Sequence, residues 1–129
     1  FLSVREADKK GIADVARQLA ELGFDLVATS GTARKITAVG LTCTIVNKVM
    51  EGRPHIVDML KNKEIALIIN TTEGRQAIAD SYAIRRTALQ NKVTYTTTLA
   101  GGHALCQALK QKQPGQLKSL QELHKELVL

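Results

Sequence analysis

The run Ile65-Ala66-Leu67-Ile68-Ile69 contains no polar residue. A strand with one wet face alternates apolar and polar side chains, so an unbroken run predicts a strand covered on both faces. Such strands belong to parallel sheets whose crossovers are helices. Residues 1–4, 24–28, 42–46 and 93–95 are the other strand candidates. Between the first two, Ile12, Val15, Ala16, Leu19 and Leu22 recur at helical spacing, and Gly23 supplies the stop. A second helix is expected over about 32–39, ending at Gly40, and a third from near Pro54 to about Asn62. The crossover over about 74–92 is the longest and reads as a broken helix. Residues 100–109 and 117–127 complete the helical patterns, with a linker around Pro114-Gly115.

Strand–helix–strand alternation at roughly 20- to 25-residue spacing implies right-handed crossovers. The expected fold is therefore α/β: a three-layer sandwich with a mostly parallel five-stranded sheet flanked by helices. Residues 1–129 read as a single domain without internal repeats, and the opening on Phe1 suggests a piece of a longer polypeptide.

Composition narrows the function classes. A chain of 129 residues, 44% hydrophobic, can bury a core without disulfide or metal staples. No apolar run approaches the ~20 residues of a spanning helix, and no signal peptide is visible, so a cytoplasmic protein away from membranes is expected. Cys43 and Cys106 read as a reduced, buried pair, and no Cys/His spacing resembles a zinc site. The net charge of +6 favours anionic partners. Two Phe and two Tyr, with no Trp, make a thin base-stacking surface, so a small phosphorylated ligand is preferred over nucleic acid.

Each apolar run is followed at once by polar residues. These are Arg5-Glu6 with Asp8-Lys9, Thr29-Ser30-Gly31-Thr32, Asn47-Lys48, Asn70-Thr71-Thr72 and Thr96-Thr97-Thr98. In a parallel sheet all five lie along the carboxyl edge, where open α/β folds bind ligands. Thr29 to Thr32 precede a helix and can form an anion cradle, with Lys9 and Lys48 as charges and Asn70 and Thr72 as neutral partners. Taken singly each has a plainer explanation. Lysines are commonly solvated, Ser and Thr cap helices, Thr96 to Thr98 suit a strand, and His55 beside Pro54 is a packing or capping residue. Their conjunction on one edge points to a phosphate site.

Ordered landmarks carry a family resemblance. They are Val4-Arg5-Glu6-Ala7-Asp8-Lys9, Ala28-Thr29-Ser30-Gly31-Thr32, Val46-Asn47-Lys48 through Glu51-Gly52-Arg53-Pro54-His55-Ile56, and Ile69-Asn70-Thr71-Thr72-Glu73-Gly74-Arg75. Ile84-Arg85-Arg86-Thr87 and Tyr95-Thr96-Thr97-Thr98-Leu99-Ala100-Gly101-Gly102 complete them. Together they resemble the methylglyoxal-synthase-like C-terminal domain of bacterial carbamoyl-phosphate synthase large chains, from Leu2 to about Leu127.

The resemblance implies an allosteric domain on an ATP-dependent, glutamine-hydrolysing ligase of arginine and pyrimidine synthesis. It implies binding of UMP or IMP, with phosphate and ribose contacts on Lys9, Thr29, Thr32, Lys48, Asn70 and Thr72. Ornithine contacts fall on Tyr95 and Thr97. Thr96 stands where familiar members carry an acidic residue, which weakens ornithine sensitivity. The implied partners are the synthetase portion of the same chain and a glutaminase small chain. No cofactor is implied in this domain, while the parent enzyme uses ATP with Mg or Mn. Methylglyoxal synthase, a phosphate lyase, shares the fold and is the alternative. Its glycine-glycine-aspartate segment is here Glu51-Gly52-Arg53-Pro54-His55, and neither Glu51 nor Asp58 has the flanking pattern of its base.

Overall fold

The first helix shows how local chemistry sets the architecture. In a computed structural model, which describes residues 1–47, 55–73 and 75–111, helix α1 (Lys9–Glu21) buries Ile12, Val15, Ala16 and Leu19 on one stripe. Its end closes as a Schellman turn: Gly23 N–H donates to Ala20 O and Phe24 N–H to Leu19 O. Gly23 takes φ +96°, which a residue without a β-carbon adopts freely. That closure consumes Phe24, so β2 is Val27–Ala28 rather than the longer run 24–28.

The remaining elements are β1 (Leu2–Ser3), α2 (Ser30–Thr37), β3 (Thr44–Ile45), α3 (Ile56–Lys61), β4 (Leu67–Asn70), α4 (Arg75–Gln90), β5 (Thr94–Thr96) and α5 (Leu99–Gln111). The strands form one sheet in the order β3-β2-β1-β4-β5, and every pairing is parallel. All four residues of β4 are buried, as its sequence demands. Leu67 and Ile69 pack towards α1 and α5, while Ile68 packs with Ile56, Leu60 and Ile84 of α3 and α4. The sheet is therefore the middle of three layers.

Two expectations need correction. The crossover after β4 is one continuous helix, α4, not a broken one. No Pro or Gly interrupts 75–90, and the Ser81 and Thr87 hydroxyls donate to Ile78 O (2.6 Å) and Ala83 O (2.8 Å) rather than competing for non-helical turns. The two cysteines are free, but only Cys106 is buried. Cys43 is half-buried beside the exposed edge strand β3. The expected helix over 117–127, the linker at Pro114-Gly115 and the helix start at Pro54 lie outside the described residues. Among the described residues, no helix is long and apolar enough to cross a membrane.

Candidate functional site

At the carboxyl edge, the backbone leaving β1 is pinned by hydroxyls from its neighbours. Val4 N–H donates to Thr32 Oγ1 (3.1 Å) and Arg5 N–H to Thr71 Oγ1 (2.9 Å). Thr71 N–H in turn donates to Ser3 O (2.9 Å), and the Ser3 and Thr29 hydroxyls lie 3.0 Å apart. These bonds hold the ends of β1, β2 and β4 around a cavity of about 290 Å³.

Lys9, Thr29, Asn70 and Thr72 line this cavity together, with Ser3, Arg5, Glu6, Thr71 and Glu73. Its apolar side is formed by Phe1, Val4, Ile56 and Ile84. Four residues anticipated from strand-end position thus meet in space. Thr32 does not line the cavity; it is 1% exposed, and its hydroxyl oxygen is occupied by Val4 N–H beneath it. Lys48 lies outside the described residues.

The cations have particular partners. Lys9 Nζ donates to Glu6 Oε2 (2.8 Å), and Arg5 Nε donates to Asp8 Oδ2 (2.9 Å). The hydrogen bond from Lys9, and then its charge, hold the Glu6 carboxyl below its ordinary titration range. Thr29 occupies the N-cap of α2 but makes no side-chain capping bond, its hydroxyl facing Ser3 instead. The first turn of α2 therefore presents N–H groups without a side-chain cap next to the cavity, a favourable place for negative charge.

Tyr95 lies beside the cavity without lining it. Its hydroxyl accepts from Asn70 Nδ2 (3.0 Å), and burial pushes the phenol up while the Asn70 amide pulls it back. Thr97 is exposed beyond β5 and does not reach the cavity. His55 is the capping residue its setting suggests: Nδ1 accepts from Val57 N–H (3.2 Å), and Asp58 Oδ2 accepts from His55 N–H (3.1 Å).

Sequence reasoning passed over Ser3, Glu73, Ile56 and Ile84 as site residues. Ser3, polar within an apolar strand, was a readable signal. Ile56 and Ile84 look like ordinary core residues, and only the packing of α3 and α4 turns them towards the cavity. Among the described residues, no group of three or more His, Cys, Asp or Glu could hold a metal ion.

The family model for the MGS-like domain matches residues 11–97. The chain belongs to the MGS-like domain family. This MGS-like domain is 62% identical over 124 residues to the carbamoyl phosphate synthase large chain of Pseudomonas aeruginosa. It is 60% identical over 124 residues to that of Pseudomonas putida, and 60% over 127 residues to that of Xanthomonas axonopodis. The matches cover 96%, 96% and 98% of the MGS-like domain chain, which spans 12% of the length of each relative.

Proposed function

We propose that this chain is the allosteric regulatory domain of a glutamine-dependent carbamoyl-phosphate synthase large chain, and that its carboxyl-edge cavity binds a nucleoside monophosphate of the UMP or IMP type. The observation that carries the reading is the meeting of Lys9, Thr29, Asn70 and Thr72 around one cavity. An ammonium, a hydroxyl-rich wall and the open first turn of α2 suit a phosphate, and the apolar side offered by Ile56 and Ile84 suits the remainder of a nucleotide. Lys48 supplies a second charge in this reading, and Thr32 acts by holding Val4.

The rest of the function follows as part of the proposal. Nucleotide binding biases how this domain packs against the synthetase portion of the same chain, which changes the ligase's use of ATP and Mg or Mn elsewhere. The domain itself carries no cofactor and no catalysis. Tyr95 and Thr97 contribute to an ornithine site, completed by the synthetase portion, and a glutaminase small chain joins the cytoplasmic holoenzyme. The lyase alternative is disfavoured because the Asp58 carboxylate is engaged in capping α3.

The test is a thermal melt with UMP, IMP and ornithine. Ligand at 100-fold above Kd is expected to stabilise by roughly 2.7 kcal/mol. Lys9→Ala and Lys48→Ala should abolish most of the nucleotide shift. An unchanged melt with every nucleoside monophosphate, or turnover of dihydroxyacetone phosphate to methylglyoxal, defeats the proposal.

A further inference from the structure

Among the described residues, the cavity is lined by two cations, Arg5 and Lys9, and two carboxylates, Glu6 and Glu73. Its cations are already paired: Lys9 with Glu6 at 2.8 Å and Arg5 with Asp8 at 2.9 Å, each partner three residues away in the turn that joins β1 to α1. The two pairs are exposed in opposite senses. The Lys9 side chain is 19% exposed and Glu6 79%, whereas Arg5 is 47% exposed and Asp8 18%. In the first pair the ammonium is the seated member and the carboxylate is the free one. In the second the carboxylate is seated and the guanidinium is free.

Lys9 is seated against the start of α2. A β-carbon placed on Gly31 would lie 2.8 Å from Nζ, so the ammonium rests directly over the backbone of the helix's first turn. A cation there opposes the positive end of the helix dipole, and an anion between the two satisfies both. Glu6 is the carboxylate that reaches Lys9.

We propose that Glu6 is a built-in competitor for the anion subsite, its carboxylate holding Lys9 until a phosphate displaces it, and that it thereby sets the charge selectivity of the cavity. This rests on the phosphate-binding reading above. Breaking an exposed pair costs little, so the exchange is easy and needs no movement of Lys9. Glu6 pivots into solvent from a single 3₁₀ turn, residues Glu6–Asp8. Its charge then remains near the bound phosphate and lowers affinity for a dianion relative to an uncharged ligand.

The test is titration calorimetry of UMP, IMP, inorganic phosphate and uridine into the wild-type chain and into Glu6→Gln, Glu6→Ala, Glu6→Asp and Asp8→Asn. Glu6→Gln and Glu6→Ala should bind the three phosphate-bearing probes roughly three- to tenfold more tightly, with uridine unchanged. Glu6→Asp should resemble wild type. Asp8→Asn removes the same unit of charge but frees Arg5 rather than Lys9, so its gain should be smaller than that of Glu6→Gln; an equal gain would mark a general charge effect and overturn displacement from Lys9. Wild type that binds UMP while Glu6→Gln and Glu6→Ala bind it equally or more weakly overturns the competitor role and leaves the nucleotide reading standing. Absence of binding by every protein to UMP, IMP and phosphate overturns both. Equal tightening for uridine overturns the charge argument alone, since selectivity is what the proposal asserts.

Discussion

The Lys9 ammonium lies over the backbone of Gly31, at a separation that a single β-carbon at 31 would reduce to 2.8 Å. Gly31 is in the first turn of α2 with ordinary helical geometry, so alanine is compatible with its backbone. Gly31→Ala is therefore expected to have opposed effects. Helix propensity favours alanine by up to about 1 kcal/mol, and the displaced atom is the far end of a flexible lysine. The melting temperature should stay level or rise. Nucleotide binding should weaken several-fold, because Nζ is pushed out of line with the helix terminus. A calorimetric titration beside a melt separates the two signs, and a variant that loses both points to misfolding of α2.

Thr32 and Val4 make the second test. Thr32→Val keeps shape and volume but removes the acceptor for a buried backbone N–H. Leaving that group without a partner costs about 1–3 kcal/mol. Urea unfolding should show the loss without ligand present. A variant of wild-type stability that binds no nucleotide would assign Thr32 to the ligand instead.

Much of the fold was readable because its signals are local. The apolar run ending at Ile69 predicted a doubly covered strand, and Gly23 and Gly40 marked helix ends, both with positive φ. The strands came out two to four residues long because ladder length depends on which backbone groups find partners, a tertiary matter. Helix α4 was harder. Ile78, Tyr82 and Leu89 remain exposed while Ile84, Thr87 and Ala88 turn inward, so its apolar residues do not mark one face. The site was half legible for the same reason. Lys9 and Asn70 announce themselves by coming after apolar runs, but pairing Val4 with Thr32 requires two segments far apart in sequence to be in register.

Two helix ends, near the expected Asn62 and Lys92, carry lysine at the position that glycine usually takes. After α3, Lys63 N–H donates to Leu60 O and Glu64 N–H to Met59 O; after α4, Lys92 N–H donates to Leu89 O and Val93 N–H to Ala88 O. These are Schellman closures with Lys63 at φ 59° and Lys92 at φ 56°. A side chain in that region carries strain of roughly 1–2 kcal/mol, partly offset by the greater unfolded-state freedom of glycine. Lys63→Gly and Lys92→Gly should each stabilise by about 0.5–1 kcal/mol, a rise of a few °C in Tm. The two sites sit at the ends of different helices, so the double variant should be close to additive. A fall in Tm for either would show that its lysine makes a compensating contact.

Alkaline pH offers a test of the buried protons. Burial pushes the Cys43 and Cys106 thiols and the Tyr95 phenol above their ordinary values, with Lys110 opposing the effect at Cys106 and Asn70 at Tyr95. Each group thus holds its proton more tightly folded than unfolded. Its contribution to stability is complete below the unfolded values of about 8.5 for a thiol and about 10 for a phenol, and is lost as pH rises through them towards the folded ones. All three shifts act in the same direction. Tm should therefore decline from about pH 8.5 upward, earlier for the thiols than for the phenol. Cys43→Ala with Cys106→Ala should flatten the first part of the decline and leave the second. A Tm that holds level or rises between pH 8 and pH 11 contradicts the burial of these groups, because unfolding would then release no extra protons.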